Sequence, residues 1–153
     1  MTPFPHTYRV YLTGRASGHG ELLTGGLRPL PTAAPPEFGG PGDAWSPEAL
    51  LLAAVESCFL FTLQAVARHA RLEFDDVTVD TEGIVDRRNG VTRFTDILLR
   101  VALTVPAGTD HERARHLLEK TERTCLVSAS LATPIRLETE VVDRPASGLR
   151  AAG

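Results

Sequence analysis

The stretch Ala49–Ala67 constrains this chain more than any other, because it is apolar on nearly every face. It follows Ser46-Pro47-Glu48, a strong helix start. Serine can cap the free amides, proline suits the first helical position, and glutamate sits where the helix dipole favours an anion. The pattern predicts a helix to about Ala70. The stretch approaches the length that spans a membrane. It also carries Glu56, Ser57, Thr62 and Gln64, and five of its members are alanine. A charge at mid-span is costly in lipid, so the reading is a buried core helix, enclosed by other structure, and no membrane partner.

The remaining elements are short or polar enough to surround such a helix. Tyr8–Thr13 alternates apolar and polar residues and reads as a strand. Glu21–Thr24 is a second strand, closed by Gly25-Gly26. Leu27–Leu30 is a third, kept to an edge by Pro29 and Pro31. Pro35-Pro36-Glu37-Phe38-Gly39-Gly40-Pro41-Gly42 excludes regular structure and is expected to be a loop whose aromatic members pack near a site. Val77–Asp86 and Thr92–Val105 are long strands joined by the hairpin signal Arg88-Asn89-Gly90. Thr109 or Asp110 caps a second helix, about Asp110–Thr124, with Leu117, Leu118 and Thr121 facing inward. A short turn follows Cys125, then a last strand, Ile135–Val142. Strands, helix, hairpin, helix, strand is an α+β order, with a mainly antiparallel sheet. The 153 residues suggest one domain over 1–142, with a disordered tail over 143–153.

Composition removes several classes of function. The formal net charge is -3, the arginines are scattered, and Lys120 is the single lysine. No phosphate-binding surface is implied, so nucleic acid is not an expected partner. Met1–Tyr8 lacks the basic start and apolar core of a signal peptide, which gives a cytoplasmic expectation. His6, His19, His69, His111 and His116 have no ligand spacing with a cysteine, so no metal is expected. Nucleotide and hydrolase motifs do not occur, and no cofactor is called for.

Two cysteines remain. Free cysteines are often inert and buried, and in a cytosolic setting two do not imply a structural disulfide. Cys58 lies mid-helix among apolar residues, where burial raises a thiol's pKa, so a working Cys58 calls for a cation brought by another segment. Cys125 sits at the end of the second helix, where a mobile thiol suits a resolving role, attacking the oxidised sulfur of the first.

Ser46-Pro47-Glu48, Cys58-Phe59 ten residues after the glutamate, and Cys125-Leu126-Val127-Ser128 67 residues after Cys58 resemble the OsmC/Ohr family. Pro36-Glu37-Phe38-Gly39-Gly40 is similar to that family's loop, and the element order matches over about residues 8–142. The resemblance implies an OsmC-like fold, with antiparallel sheets around a long central helix, in an intertwined homodimer with sites at the subunit interface. It implies a thiol-dependent peroxidase acting on organic hydroperoxides as an antioxidant in stress, reset by an external dithiol such as a lipoylated protein. By position it makes Cys58 the peroxidatic thiol, Cys125 the resolving thiol and Glu48 the carboxylate that orients an arginine. Gly14-Arg15-Ala16-Ser17-Gly18 offers Arg15 for that arginine, with one residue more than the family's Gly-Arg-x-Gly, and Arg28 is the fallback.

Other departures are Leu126, where the family often has proline, and Glu56, where a small or uncharged residue is expected. Glu48 stands about 15 Å from Cys58 along a straight helix, so it would serve the site through an arginine or a partner subunit. Phe38, Trp45 and Phe59, with Phe61, are candidates to line an apolar substrate pocket. Plain core packing is the competing expectation for these rings. A non-catalytic relative that binds an apolar ligand or senses redox state is the competing function.

Overall fold

A computed structural model describes residues 3–145, so most of the tail expected to be disordered, from residue 146, lies outside the described residues. The chain folds as two compact units, Met1–Leu51 and Leu52–Gly153, with the boundary inside the long helix.

The first unit carries an antiparallel sheet of β1 (Tyr11–Gly14), β2 (Gly20–Leu23) and β3 (Leu30–Thr32), in that order. β1 begins three residues later than the alternation at Tyr8 suggests. Leu27 belongs to a turn, because Gly25 and Gly26 both take positive φ and the Leu27 amide closes on the Thr24 carbonyl. The third strand therefore starts at Leu30, and Pro31 is tolerated because β3 is an edge strand. Pro36–Phe38 forms one 3-10 turn, and the loop around it is tightly folded. A Cβ on Gly40 would collide with the Ala34 carbonyl, so only glycine fits. Thr32 and Ala33 both bond the Trp45 carbonyl, which fixes the approach to helix α1 (Pro47–Ala70). Ser46 caps that helix as its sequence predicts, its Oγ accepting from the Ala49 amide at 3.1 Å.

In the second unit, β4 (Asp76–Arg88) and β5 (Val91–Val105) form the expected hairpin. Asn89 and Gly90 both take positive φ, the two-residue turn that matches strand twist. A bulge falls at Ile84/Val85. Helix α2 (His111–Thr124) is capped by Asp110, whose carboxylate accepts from the Arg113 amide. A one-turn helix, α3 (Leu126–Ala129), stands where a plain turn was expected. β6 (Ile135–Asp143) then pairs with β5 in parallel. The pairing is thus mainly antiparallel, as expected, with β5 and β6 the parallel pair. The segment holding α2 and α3 is the helical crossover that parallel pairing needs.

The core of this unit joins Val55, Phe59, Leu63 and Ala67 of α1 to Leu99, Val101, Leu103 and Val105 of β5, and to Ala114, Leu117 and Leu118 of α2. Each fully buried aliphatic or aromatic side chain contributes about 1.5–3 kcal/mol. The four α1 residues lie one turn apart and make a single buried stripe. The fully enclosed helix expected from the sequence is not what one chain provides. Off that stripe α1 is half-buried or exposed, and Phe61 is 64% exposed.

Candidate functional site

The second unit brings Cys58 and Cys125 together through α3. Cys125 ends α2 and is the N-cap of α3, with φ -67° and ψ 119°. The first amides of a helix have no partner within it. The Val127 amide instead donates to Cys58 Sγ at 3.5 Å. Thr62, one turn along α1, places its hydroxyl 4.0 Å from the same sulfur. Both cysteines are free thiols.

Their environments push the two thiols apart. Burial is the largest influence on Cys58 and pushes it up. The Val127 amide, the Cys125 thiol, the Thr62 hydroxyl and the Leu126 amide outweigh it, so Cys58 ends below an ordinary thiol. Burial is also the largest influence on Cys125 and holds it above the ordinary value, with Cys58 adding to the shift. The Ser128 hydroxyl and amide oppose it only in part. Cys58 is the half-buried, more acidic thiol and Cys125 is fully enclosed. As expected, Cys125 stands at a helix terminus, and there it is buried at the junction of α2 and α3.

Within its own unit Cys58 meets no charged group among the described residues. Its partners are backbone amides, a hydroxyl and a thiol, in keeping with the known lowering of thiol pKa values at helix N-termini. Sequence reasoning missed these donors because a backbone amide has no side-chain signature. The available hint was the position of the second cysteine just ahead of a short polar-apolar turn, Leu126-Val127-Ser128.

Most of the other expected site residues belong to the first unit, and Phe59 to the second. Arg15 lies in the bend after β1 and Arg28 just before β3; both are exposed, and neither has an ion-pair partner among the described residues. Glu48 occupies the first turn of α1, and its Oε2 is enclosed without a hydrogen-bond partner among the described residues. Trp45 lines a shallow hollow with Pro35, Pro36, Ser46 and Ala49. Phe38 is exposed beside it in sequence but does not line that hollow. Phe59 is completely buried in the core, so the expectation that it lines a substrate pocket is corrected. One position of the helix turns the ring about 100° away from Cys58. Phe61, one turn beyond Cys58, is the exposed aromatic on that side of the helix. Among the described residues no three His, Cys, Asp or Glu side chains converge as metal ligands.

The site therefore sits in an α+β domain with one free thiol on a long helix and a second at the head of a short one. Residues 40–140 match the family model described as OsmC-like protein. The chain is 33% identical over 109 residues to the uncharacterized protein YmaD of Bacillus subtilis, covering 69% of this chain and 73% of that protein. Its fold is similar to an OsmC-like protein of unknown function from Vibrio cholerae, with a TM-score of 0.80, 17% identity, and 90% and 100% of the two chains covered. It is also similar to an organic hydroperoxide resistance protein OsmC from Legionella pneumophila, with a TM-score of 0.72, 26% identity, and 91% and 98% covered. The chain belongs to the OsmC-like family. The family includes an organic hydroperoxide resistance protein, which supports a redox or stress role.

Proposed function

We propose that this chain is a thiol-dependent peroxidase that reduces organic hydroperoxides, with Cys58 peroxidatic and Cys125 resolving. The observation that carries the reading is the Val127 amide donating to the more acidic, more accessible thiol, with the second thiol beside it. The Cys58 thiolate attacks the outer oxygen of the hydroperoxide. The O–O bond breaks, the alcohol leaves after taking a proton, and Cys58 becomes a sulfenic acid. Cys125 then attacks the Cys58 sulfur, the S–O bond breaks, water leaves, and a disulfide remains. An external dithiol, of the kind carried by a lipoylated protein, reduces it again. Amide donors already aimed at the sulfur also suit the charge that builds as the O–O bond breaks.

Three further elements belong to this reading. The chain works as a cytoplasmic homodimer with its sites at the subunit interface, and the second copy covers the apolar part of α1 that one chain leaves bare. A guanidinium, from Arg15 or Arg28, is held by the unpartnered oxygen of Glu48 and adds to the amides in activating Cys58. Phe61, Trp45 and Phe38 supply apolar surface that favours bulky organic peroxides over hydrogen peroxide.

The test is a count of free thiols after one equivalent of cumene hydroperoxide is added to the reduced protein. Wild type loses both thiols, and Cys58→Ser is inert. Thiols that survive an excess of peroxide would sink the peroxidase. One observation favours a second reading, a non-catalytic apolar-ligand binder or redox sensor: the partners of Cys58 within its own unit are uncharged amides, a hydroxyl and a thiol. That reading predicts the surviving thiols.

A further inference from the structure

The first turn of α3 divides its free donors between the two sulfurs. The Leu126 and Val127 amides serve Cys58. The next residue, Ser128, stands three positions after the N-cap Cys125. In a helix start the N-cap side chain and the residue three further on face each other, which is the geometry of a capping box. Here the N-cap side chain is a thiol and makes no cap hydrogen bond. Ser128 Oγ is enclosed, and it has no hydrogen-bond partner of ordinary geometry among the described residues. A buried hydroxyl without a partner is destabilising, and so needs an explanation. The Ser128 amide and hydroxyl both favour the charged form of Cys125.

We propose that Ser128 is a positioning residue for the resolving step, its hydroxyl turning onto Cys125 Sγ as that thiol ionises to attack the oxidised Cys58. The inference rests on the peroxidase reading and extends it to the second half of the cycle. The Cys125 sulfur bonds to the Cys58 sulfur, the S–O bond of the sulfenic acid breaks, and the hydroxide takes up the proton that Cys125 gives up and leaves as water. Two donors from Ser128 hold the attacking sulfur as a thiolate inside a pocket that otherwise penalises charge. The titratable group facing Cys125 from α1 is Cys58. On its own side, in α2, Glu122 is half-buried and Arg123 is exposed and paired with Glu119. The hydroxyl is therefore the side-chain donor this thiolate has on its own helix turn.

The test compares wild type, Ser128→Ala and Ser128→Thr in two measurements. Stopped-flow oxidation separates sulfenic acid formation from disulfide formation. Ser128→Ala is expected to keep the first rate within about twofold and to slow the second about tenfold at neutral pH, the effect of losing one hydrogen bond to a charged sulfur. Ser128→Thr, which keeps the hydroxyl, restores most of the rate. The second measurement needs no peroxidase activity. Thiolate absorbance is followed against pH in Cys58→Ser and in Cys58→Ser with Ser128→Ala, and the alanine is expected to move the Cys125 titration to higher pH. An unmoved titration overturns the proposal. So does an equal slowing of both oxidation steps, or an equal loss in the alanine and threonine variants, since either points to packing. If the titration moves while wild type ignores peroxide, the Ser128–Cys125 interaction stands and the peroxidase reading falls.

Discussion

Phe59 and Phe61 are two residues apart on one helix, and Phe61→Ala separates what one chain covers from what a second copy covers. Phe61 is 64% exposed in the single chain. Full burial of such a ring is worth about 1.5–3 kcal/mol, so about two thirds of that, roughly 1–2 kcal/mol, is still to be gained when a partner covers it. A twofold dimer contains the ring twice, which gives about 2–4 kcal/mol per dimer, or roughly 30- to 1000-fold in its dissociation constant. Sedimentation equilibrium over a dilution series reads this directly. Phe61→Ala is expected to dissociate at concentrations where wild type remains paired. If both proteins show the same dimer constant, or both are monomers, a second copy does not bury the bare side of α1.

Other perturbations address the fold and the thiols. Phe59→Ala empties a fully buried core position and is expected to cost about 3–5 kcal/mol in urea unfolding; a loss near zero would contradict the helix phase. Leu126→Pro suits its position, because Leu126 opens α3 and Cys125 before it has the extended ψ of 119° that a proline requires. It is expected to fold normally, and to slow alkylation of Cys58, which loses the Leu126 amide. Unchanged alkylation would mean that amide does not act on the sulfur. The pH dependence has opposite signs for the two thiols. Cys58, lowered in the fold, adds stability above the unfolded thiol pKa that is lost as pH falls through its folded pKa. Cys125, raised in the fold, adds stability below the unfolded pKa that is lost as pH rises through its folded pKa. Unfolding midpoints of the two single-cysteine variants across the thiol range are expected to diverge in those directions.

Local chemistry made much of the fold legible. Ser46-Pro47-Glu48 marks the start of α1, Asn89-Gly90 the β4–β5 turn, and Asp110 the cap of α2, and in each the signal sits in the residues themselves. The direction of β6 was harder, since it depends on where α2 and α3 carry the chain, although the strand–helix–strand order permits a parallel pair. The composition of α1 reports what must be covered and not by what, and one chain buries only the stripe Val55, Phe59, Leu63 and Ala67. At the site, the two cysteines were visible as residues. Their pairing came from the resemblance to a known family, and the amides of α3 had no sequence signature. Gly83 is a similar case: a Cβ there would strike the Phe94 ring and crowd Leu52, a constraint set by packing across the sheet.

The most direct test of Cys58 as peroxidatic thiol is the intact mass of reduced Cys125→Ser protein after one equivalent of cumene hydroperoxide. The proposed chemistry predicts the prompt gain of one oxygen atom, located on Cys58 by peptide mapping and removed by a dithiol. An unchanged mass, with Cys58 still open to alkylation, would contradict it.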